Sequence, residues 1–140
     1  RKAMKRIVDS SEIPGILAYA GDEAVGWCSV APRTVYSALE RSRTLKRVDD
    51  KPVWSIVCFF VAKKFRGKGV AEKLVKAAIG YAQTHGGKIV EAYPVIPKKD
   101  RVPDVFVYTG LASTFRKAGF IEVLRPSERR SIMRYFVEER

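Results

Sequence analysis

The stretch Val57-Cys58-Phe59-Phe60-Val61-Ala62-Lys63-Lys64-Phe65-Arg66-Gly67-Lys68-Gly69-Val70-Ala71 passes from an apolar strand, through a basic turn, into the start of an amphipathic helix. The first N–H groups of any helix have no partner within it, and the helix dipole gives that end partial positive charge. Here Lys63, Lys64, Arg66 and Lys68 add full charges, while Gly67 and Gly69 let an anion come close to the main chain. Such a corner suits phosphate.

Spacing separates the kinds of phosphate loop. A Walker loop needs four residues between its first glycine and a Gly-Lys followed by Ser or Thr, which Gly67-Lys68-Gly69-Val70 does not offer. A dinucleotide fingerprint starting at Gly67 and Gly69 would need Gly or Ala at position 72, which is Glu72. What the residues do match is Arg-x-x-Gly-x-Ala, read as Arg66, Gly69 and Ala71, after the strand end Phe59-Phe60-Val61. Further on, Phe115-Arg116-Lys117-Ala118-Gly119-Phe120 reads as a closing helix-to-strand junction.

Together these segments resemble the GNAT superfamily of N-acetyltransferases, whose coenzyme A pyrophosphate loop follows a central strand in this way. The resemblance covers about positions 15 to 137. It implies an α/β (α+β) fold: a mixed, mostly antiparallel twisted sheet with a central splayed parallel strand pair and helices on both faces. Residues 1–140 would form a single domain. The family usually begins with a strand and a helix ahead of this point, so those elements either lie outside the sequence or are dispensed with.

A chain of 140 residues is long enough for one real core. Its charge is unusual: 27 Lys and Arg against 15 Asp and Glu leave +12, which favours anionic partners without choosing among nucleic acid, membrane surface and polyphosphate cofactor. Cys28 and Cys58 sit in apolar runs without Cys-x-x-Cys spacing, so buried free thiols are expected. With His85 as the lone histidine, no metal site is expected. No apolar run reaches the ~18–20 residues that span a bilayer, and no secretory leader is visible, so the expected location is the cytoplasm.

Taken in order, residues 2–9 place Ala3, Met4, Ile7 and Val8 at helical spacing, and a helix is expected there. Residues 15–20 and 24–30 read as a hairpin around Gly21-Asp22-Glu23. Pro32 to Pro52 is an excursion with a short helix around 36–43 and a basic cluster of Arg41, Arg43, Lys46 and Arg47. It reads as a solvated segment covering one end of the sheet, or as the rim of a substrate entrance. Residues 53–61 form the strongest strand, expected to be buried on both faces. A helix of about 15 residues follows and stops at His85-Gly86-Gly87, where His85 suits a helix C-terminus better than a catalytic role. Residues 88–95 make a strand parallel to 53–61. A loop at 98–104, a helix over 108–118 and a closing hairpin around a 125–130 turn complete the chain.

The resemblance also implies chemistry. Main-chain groups of Phe59 and Val61 would pair with the pantetheine arm of acetyl-CoA, the cosubstrate. Arg66, Gly67, Lys68, Gly69, Val70 and Ala71 would take the pyrophosphate. An alkylammonium of pKa about 10.4 is neutral only to about one part in 10³ at pH 7, so a base near the thioester helps. Glu91 is the first candidate, against the alternative of a surface carboxylate, and Tyr93 shares its face. The tyrosine that often assists thiolate departure in the family is Phe115 here, which leaves Tyr108 or Ser113 to substitute, or unaided departure.

The expected function is acetyl transfer to a small-molecule or peptide primary amine, by direct attack in a ternary complex. A coenzyme A-binding sensor or inactive relative is the alternative, as is a basic nucleic-acid-binding module. Nucleic acid is disfavoured because aromatics do not interleave with the basic cluster. The oligomeric state is open, with a homodimer among the options.

Overall fold

The computed structural model describes residues 2–7, 15–65, 69–96 and 112–137. Seven strands form one sheet: β1 (Lys2–Ile7), β2 (Gly15–Ala20), β3 (Glu23–Pro32), β4 (Trp54–Val61), β5 (Ile89–Ala92), β6 (Ile121–Ser127) and β7 (Arg130–Phe136). Their order is β1-β2-β3-β4-β5-β7-β6, and among the described residues β4 with β5 is the only parallel pair. Among the described residues three α-helices accompany them: α1 (Ser37–Glu40), α2 (Val70–Thr84) and α3 (Ala112–Lys117). The expected mixed, mostly antiparallel sheet is present. Among the described residues no helix is long and apolar enough to cross a membrane.

Alternation along the strands sorts side chains onto two faces. On one, Val30, Ile56, Ala92 and Met133 join a large core that buries Leu74, Val75 and Ala78 of α2 with Phe115 of α3. A 15-residue helix is marginal alone, so α2 depends on this burial, worth about 1.5–3 kcal/mol for each large side chain. On the other face, Ala31, Tyr93 and Ile132 make a smaller core under Tyr36 and Leu39, with Leu45, Val48 and Val57 packed against it. The 33–53 excursion is thus a cover for the second face.

Three sequence expectations need correction. Residues 2–7 are strand, paired antiparallel with β2 from Lys2↔Ala20 to Ile7↔Gly15. So short a helix gains few hydrogen bonds, whereas a strand satisfies the edge of β2. Cys58 is exposed although Cys28 is buried, and β4 is therefore not covered along its whole length. The cause is a bulge: Val30↔Ile56 and Cys28↔Phe59 set three residues of β4 against two of β3, turning both Ile56 and Phe59 inward and Cys58 outward. The closing turn shrinks to Glu128–Arg129, because β6 continues through Pro126 to Ser127. As an edge strand, β6 tolerates the missing N–H of proline. Of the helix expected over 108–118, Ala112–Lys117 is helical, while residues 108–111 and the 98–104 loop fall outside the described residues.

Charged side chains, not apolar contacts alone, hold the excursion down. Arg33 is 3% exposed and donates to the carbonyls of Leu39 (2.9 Å) and Leu45 (2.6 Å). Its guanidinium also lies 3.5 Å from Glu91 and 3.5 Å from Glu40. Arg134, a cross-strand neighbour of Glu91, donates from Nε to Glu91 at 2.8 Å and makes two 3.0 Å bonds to Asp49. Glu91, 1% exposed, therefore sits between two guanidiniums, one from the excursion's start and one gripping its end. Replacing such a network whole by apolar residues can be neutral, but removing one member strands the others in low dielectric.

Glu91→Gln is accordingly expected to lose about 3–5 kcal/mol in chemical denaturation, against under about 0.5 kcal/mol for Glu72→Gln, which breaks only the exposed pair with Lys76. A loss below about 1 kcal/mol at Glu91 would mean that its carboxylate does not hold the two arginines. Acid acts on the outer clamps. The bonds from Arg134, and then the Lys51 N–H, hold Asp49 below the usual carboxylate range, and the Arg47 bond does so for Glu40. Both folded values are depressed, so the stabilisation is present above the ordinary carboxylate pKa of about 4 and is lost as pH falls through the folded values. Hydrogen-exchange protection, taken relative to the intrinsic amide rate at each pH, should therefore fall selectively in 33–53 on going from about pH 5 to about pH 2, ahead of α2. Protection in 33–53 that falls only together with α2 would contradict this.

Candidate active site

Strand β4 pairs with β5 at only three positions, Trp54↔Val90, Ser55↔Glu91 and Ile56↔Ala92. Beyond them the strands part. The β4 bulge carries residues 57–61 along β3, while the chain after β5 turns to β7: Ser131 donates to the Pro94 carbonyl (3.1 Å) and Ile96 to that of Arg129 (2.9 Å). A wedge therefore opens between 57–61 and 93–96.

Main-chain groups alternate along β4. Because the Ala62 N–H donates to the Val25 carbonyl at 2.8 Å, the amides of Val61 and Phe59 point away from β3, toward the wedge. Their side chains are buried, at 2% and 0% exposure, so packing fixes the backbone in that orientation.

At the wide end of the wedge stands the start of α2. Gly69 is its N-cap, with φ 83°, and no side chain caps the helix. The left-handed conformation favours glycine, and among the described residues a Cβ added there would meet nothing within 4 Å. The Gly69 carbonyl receives the Lys73 N–H at 3.2 Å, which starts the helical ladder. Val70 is buried and anchors the first turn, while Ala71 is half-buried. Arg66, Gly67 and Lys68 lie outside the described residues.

The residues expected to do chemistry are placed differently. Glu91 is buried, which removes the surface-carboxylate alternative. Its Oε1 accepts the Tyr93 hydroxyl at 2.7 Å, with Arg33 at 3.5 Å, and its Oε2 accepts Arg134. Tyr93 shares the face of Glu91 as expected, and Ser55 Oγ is 2.7 Å from its hydroxyl. Burial, reinforced by the Glu91 charge, pushes the Tyr93 phenol well above its ordinary pKa, so it keeps its proton and donates to Glu91. Burial likewise pushes the Cys28 thiol up to about 12. His85 is the C-cap of α2, exposed, with Nδ1 2.9 Å from the Tyr81 carbonyl. Phe115 is fully buried between Phe59 and Phe120, with ring centroids 5.8 and 5.1 Å away. Ser113 on the same helix is exposed, and Tyr108 lies outside the described residues.

Arg33, Asp49 and Arg134 escaped the sequence reading. A signal existed: Arg134 interrupts the apolar run Ile132-Met133, as Glu91 interrupts Ile89-Val90, and two opposite charges inside apolar strands call for each other.

Residues 3–101 match the model of the acetyltransferase (GNAT) family. No curated protein matches the sequence. Solved structures with a similar fold include one from the NatC complex bound to Gag peptide and CoA, 13% identical with a TM-score of 0.61, covering 89% of this chain and 71% of that one. The ribosomal-protein-alanine N-acetyltransferase of Brucella melitensis is 16% identical, with a TM-score of 0.58 and coverage of 89% and 69%. Ard1 from Thermoplasma volcanium is 17% identical, again at 0.58, with coverage of 89% and 71%. At these identities the structures speak for the fold, while the family model spans most of the sequence. The chain belongs to the acetyltransferase (GNAT) family.

Proposed function

We propose that this protein transfers the acetyl group of acetyl-CoA to a primary amine by direct attack in a ternary complex. The observation that carries the reading is the wedge that opens after Ile56↔Ala92 and leads to the uncapped, glycine-started α2. The pantetheine arm would lie in the wedge, beside the main chain of Phe59 and Val61. The pyrophosphate would meet the Gly69, Val70 and Ala71 end of the helix, where the dipole favours an anion. Arg66, Gly67 and Lys68 would complete that cradle. Structural neighbours whose names include CoA and N-acetyltransferase lend the reading support.

In the reaction the amine nitrogen would attack the thioester carbon, the tetrahedral intermediate would collapse, and the coenzyme thiolate would leave. An N–H directed at the thioester oxygen would stabilise the charge that develops there. Glu91 and Tyr93, first expected as base and helper, suit a positioning role better. A base needs an unoccupied lone pair facing the substrate, and the Glu91 oxygens already face Tyr93, Arg33 and Arg134. Tyr93 lies one residue past the last β4–β5 pair, so the network stiffens the apex of the wedge. Tyr108 stays the nearest counterpart in sequence for a proton donor to the thiolate. A thiol of pKa about 8.5 is also a tolerable leaving group without help.

A second reading, coenzyme binding without turnover, is favoured by one observation: Phe115 is packed in the core and has no proton to give. Binding and turnover separate the two. Acetyl-CoA is expected to bind saturably in calorimetry and to raise the melting temperature, with about 2.7 kcal/mol of stabilisation at 100 times Kd. Gly69→Glu, which places a carboxylate in the anion's space, should weaken binding by at least about 100-fold, with the melting temperature of the free protein measured alongside. Coenzyme release with any member of a primary-amine panel establishes transfer, and tight binding without release establishes the second reading. No saturable binding, or binding indifferent to Gly69→Glu, overturns both.

A further inference from the structure

The 33–53 excursion carries Arg33, Arg41, Arg43, Lys46, Arg47 and Lys51 against Glu40, Asp49 and Asp50. Its acids and bases are not mixed at random. Glu40 is engaged by Arg47 and Arg33, and Asp49 by Arg134, so two of three carboxylates are consumed in holding the segment down. Arg41, Arg43, Lys46 and Lys51 are exposed, and among the described residues none of their four side chains makes an ion pair with a carboxylate. The outward face is cationic.

That face is also held in place. The underside of the excursion packs through Tyr36 and Leu39 on Tyr93 and Val57, the residues next to the point where β4 leaves β5. Buried Arg33 ties its backbone at Leu39 and Leu45, on both sides of Arg41 and Arg43. A flexible basic loop would lose conformational entropy on gripping an anion, and this one is already ordered. Cations on a fixed support beside the wedge attract a negatively charged group carried by whatever enters it.

We propose that the excursion is the acceptor-recognition face and that it selects an acidic peptide, its amine directed to the wedge and its carboxylates lying over Arg41, Arg43 and Lys46. The proposal rests on the acetyl-transfer reading, whose wedge gives the amine its destination. A peptide fits better than nucleic acid because, within 33–53, no aromatic side chain stands outward among these cations to stack a base: the neighbours Tyr36, Leu39 and Leu45 face the sheet.

The test uses two C-terminally labelled pentapeptides with free N-termini, Ala-Asp-Glu-Asp-Glu and Ala-Asn-Gln-Asn-Gln, with the full chain saturated with coenzyme A. Fluorescence anisotropy is expected to show at least about 10-fold tighter binding of the acidic peptide, falling to under about 2-fold in about 0.5 M NaCl. The double variant Arg41→Glu/Arg43→Glu, at two exposed positions outside the buried network, should abolish the preference. Equal binding of the two peptides by the wild type overturns the proposal, as does a preference that survives in the double variant. An unlabelled single-stranded oligonucleotide that displaces the acidic peptide at equal phosphate and carboxylate concentration overturns it in favour of nucleic acid. Coenzyme affinity is measured separately: its absence strikes the acetyl-transfer reading, while peptide discrimination decides the recognition face.

Discussion

The parallel contact between β4 and β5 lasts for three residues and cannot last for more, because the bulge at Val57 and Cys58 commits β4 to β3 while Pro94 and Ile96 commit the other chain to β7. Beyond Ile56↔Ala92 the two strands run to different neighbours, and the amides of Phe59 and Val61 face the wedge between them. A wedge of this kind persists when packing fixes both walls: Phe59 and Val61 are buried on the α2 side, and Tyr93 is buried on the other. The proposed reaction runs along the main chain of this wedge.

The buried charges belong to the same design. Glu91 pairs with Ser55 across β4–β5 and with Arg134 across β5–β7, so it stands one rung before the last pair, Ile56↔Ala92, at which the wedge begins. A carboxylate there, bonded to Tyr93, Arg33 and Arg134, links the apex of the wedge to both ends of the 33–53 excursion. An apolar core at this position would be as stable, but it would not dictate where the excursion lies. The network is best understood as a device for position, with stability following from having every member present.

Much of this was legible in the residues, and the limits have physical causes. Strand-length apolar runs around Val57 and Val90, the 3.6-residue spacing of Val70, Leu74, Ala78 and Ala82, and the glycines at 69 and 86 fixed the central strand-helix-strand unit, because local patterning there agrees with burial. Lys2–Ile7 misled because six residues with mixed polarity fit either period, and the edge of β2 decided the outcome. Cys58 misled because a bulge reverses alternation without any mark in composition. Glu91 was found as an important residue but given the wrong setting: its partners come from positions 33, 49 and 134, and only the register of three strands brings them together. The expectations at Arg66, Gly67, Lys68 and Tyr108 fall outside the described residues.

The central claim is that the wedge and the α2 start form one coenzyme site. Amide-resolved ¹H–¹⁵N spectra, recorded with and without coenzyme A, address it at the backbone groups themselves. The account predicts that the largest shifts fall on Phe59 and Val61 at the wedge and on Gly69, Val70 and Ala71 at the helix start, all titrating with one affinity. Shifts that avoid these amides and gather at the opposite end of β4, in the hollow lined by Lys51, Trp54, Gly87 and Lys88, would contradict it.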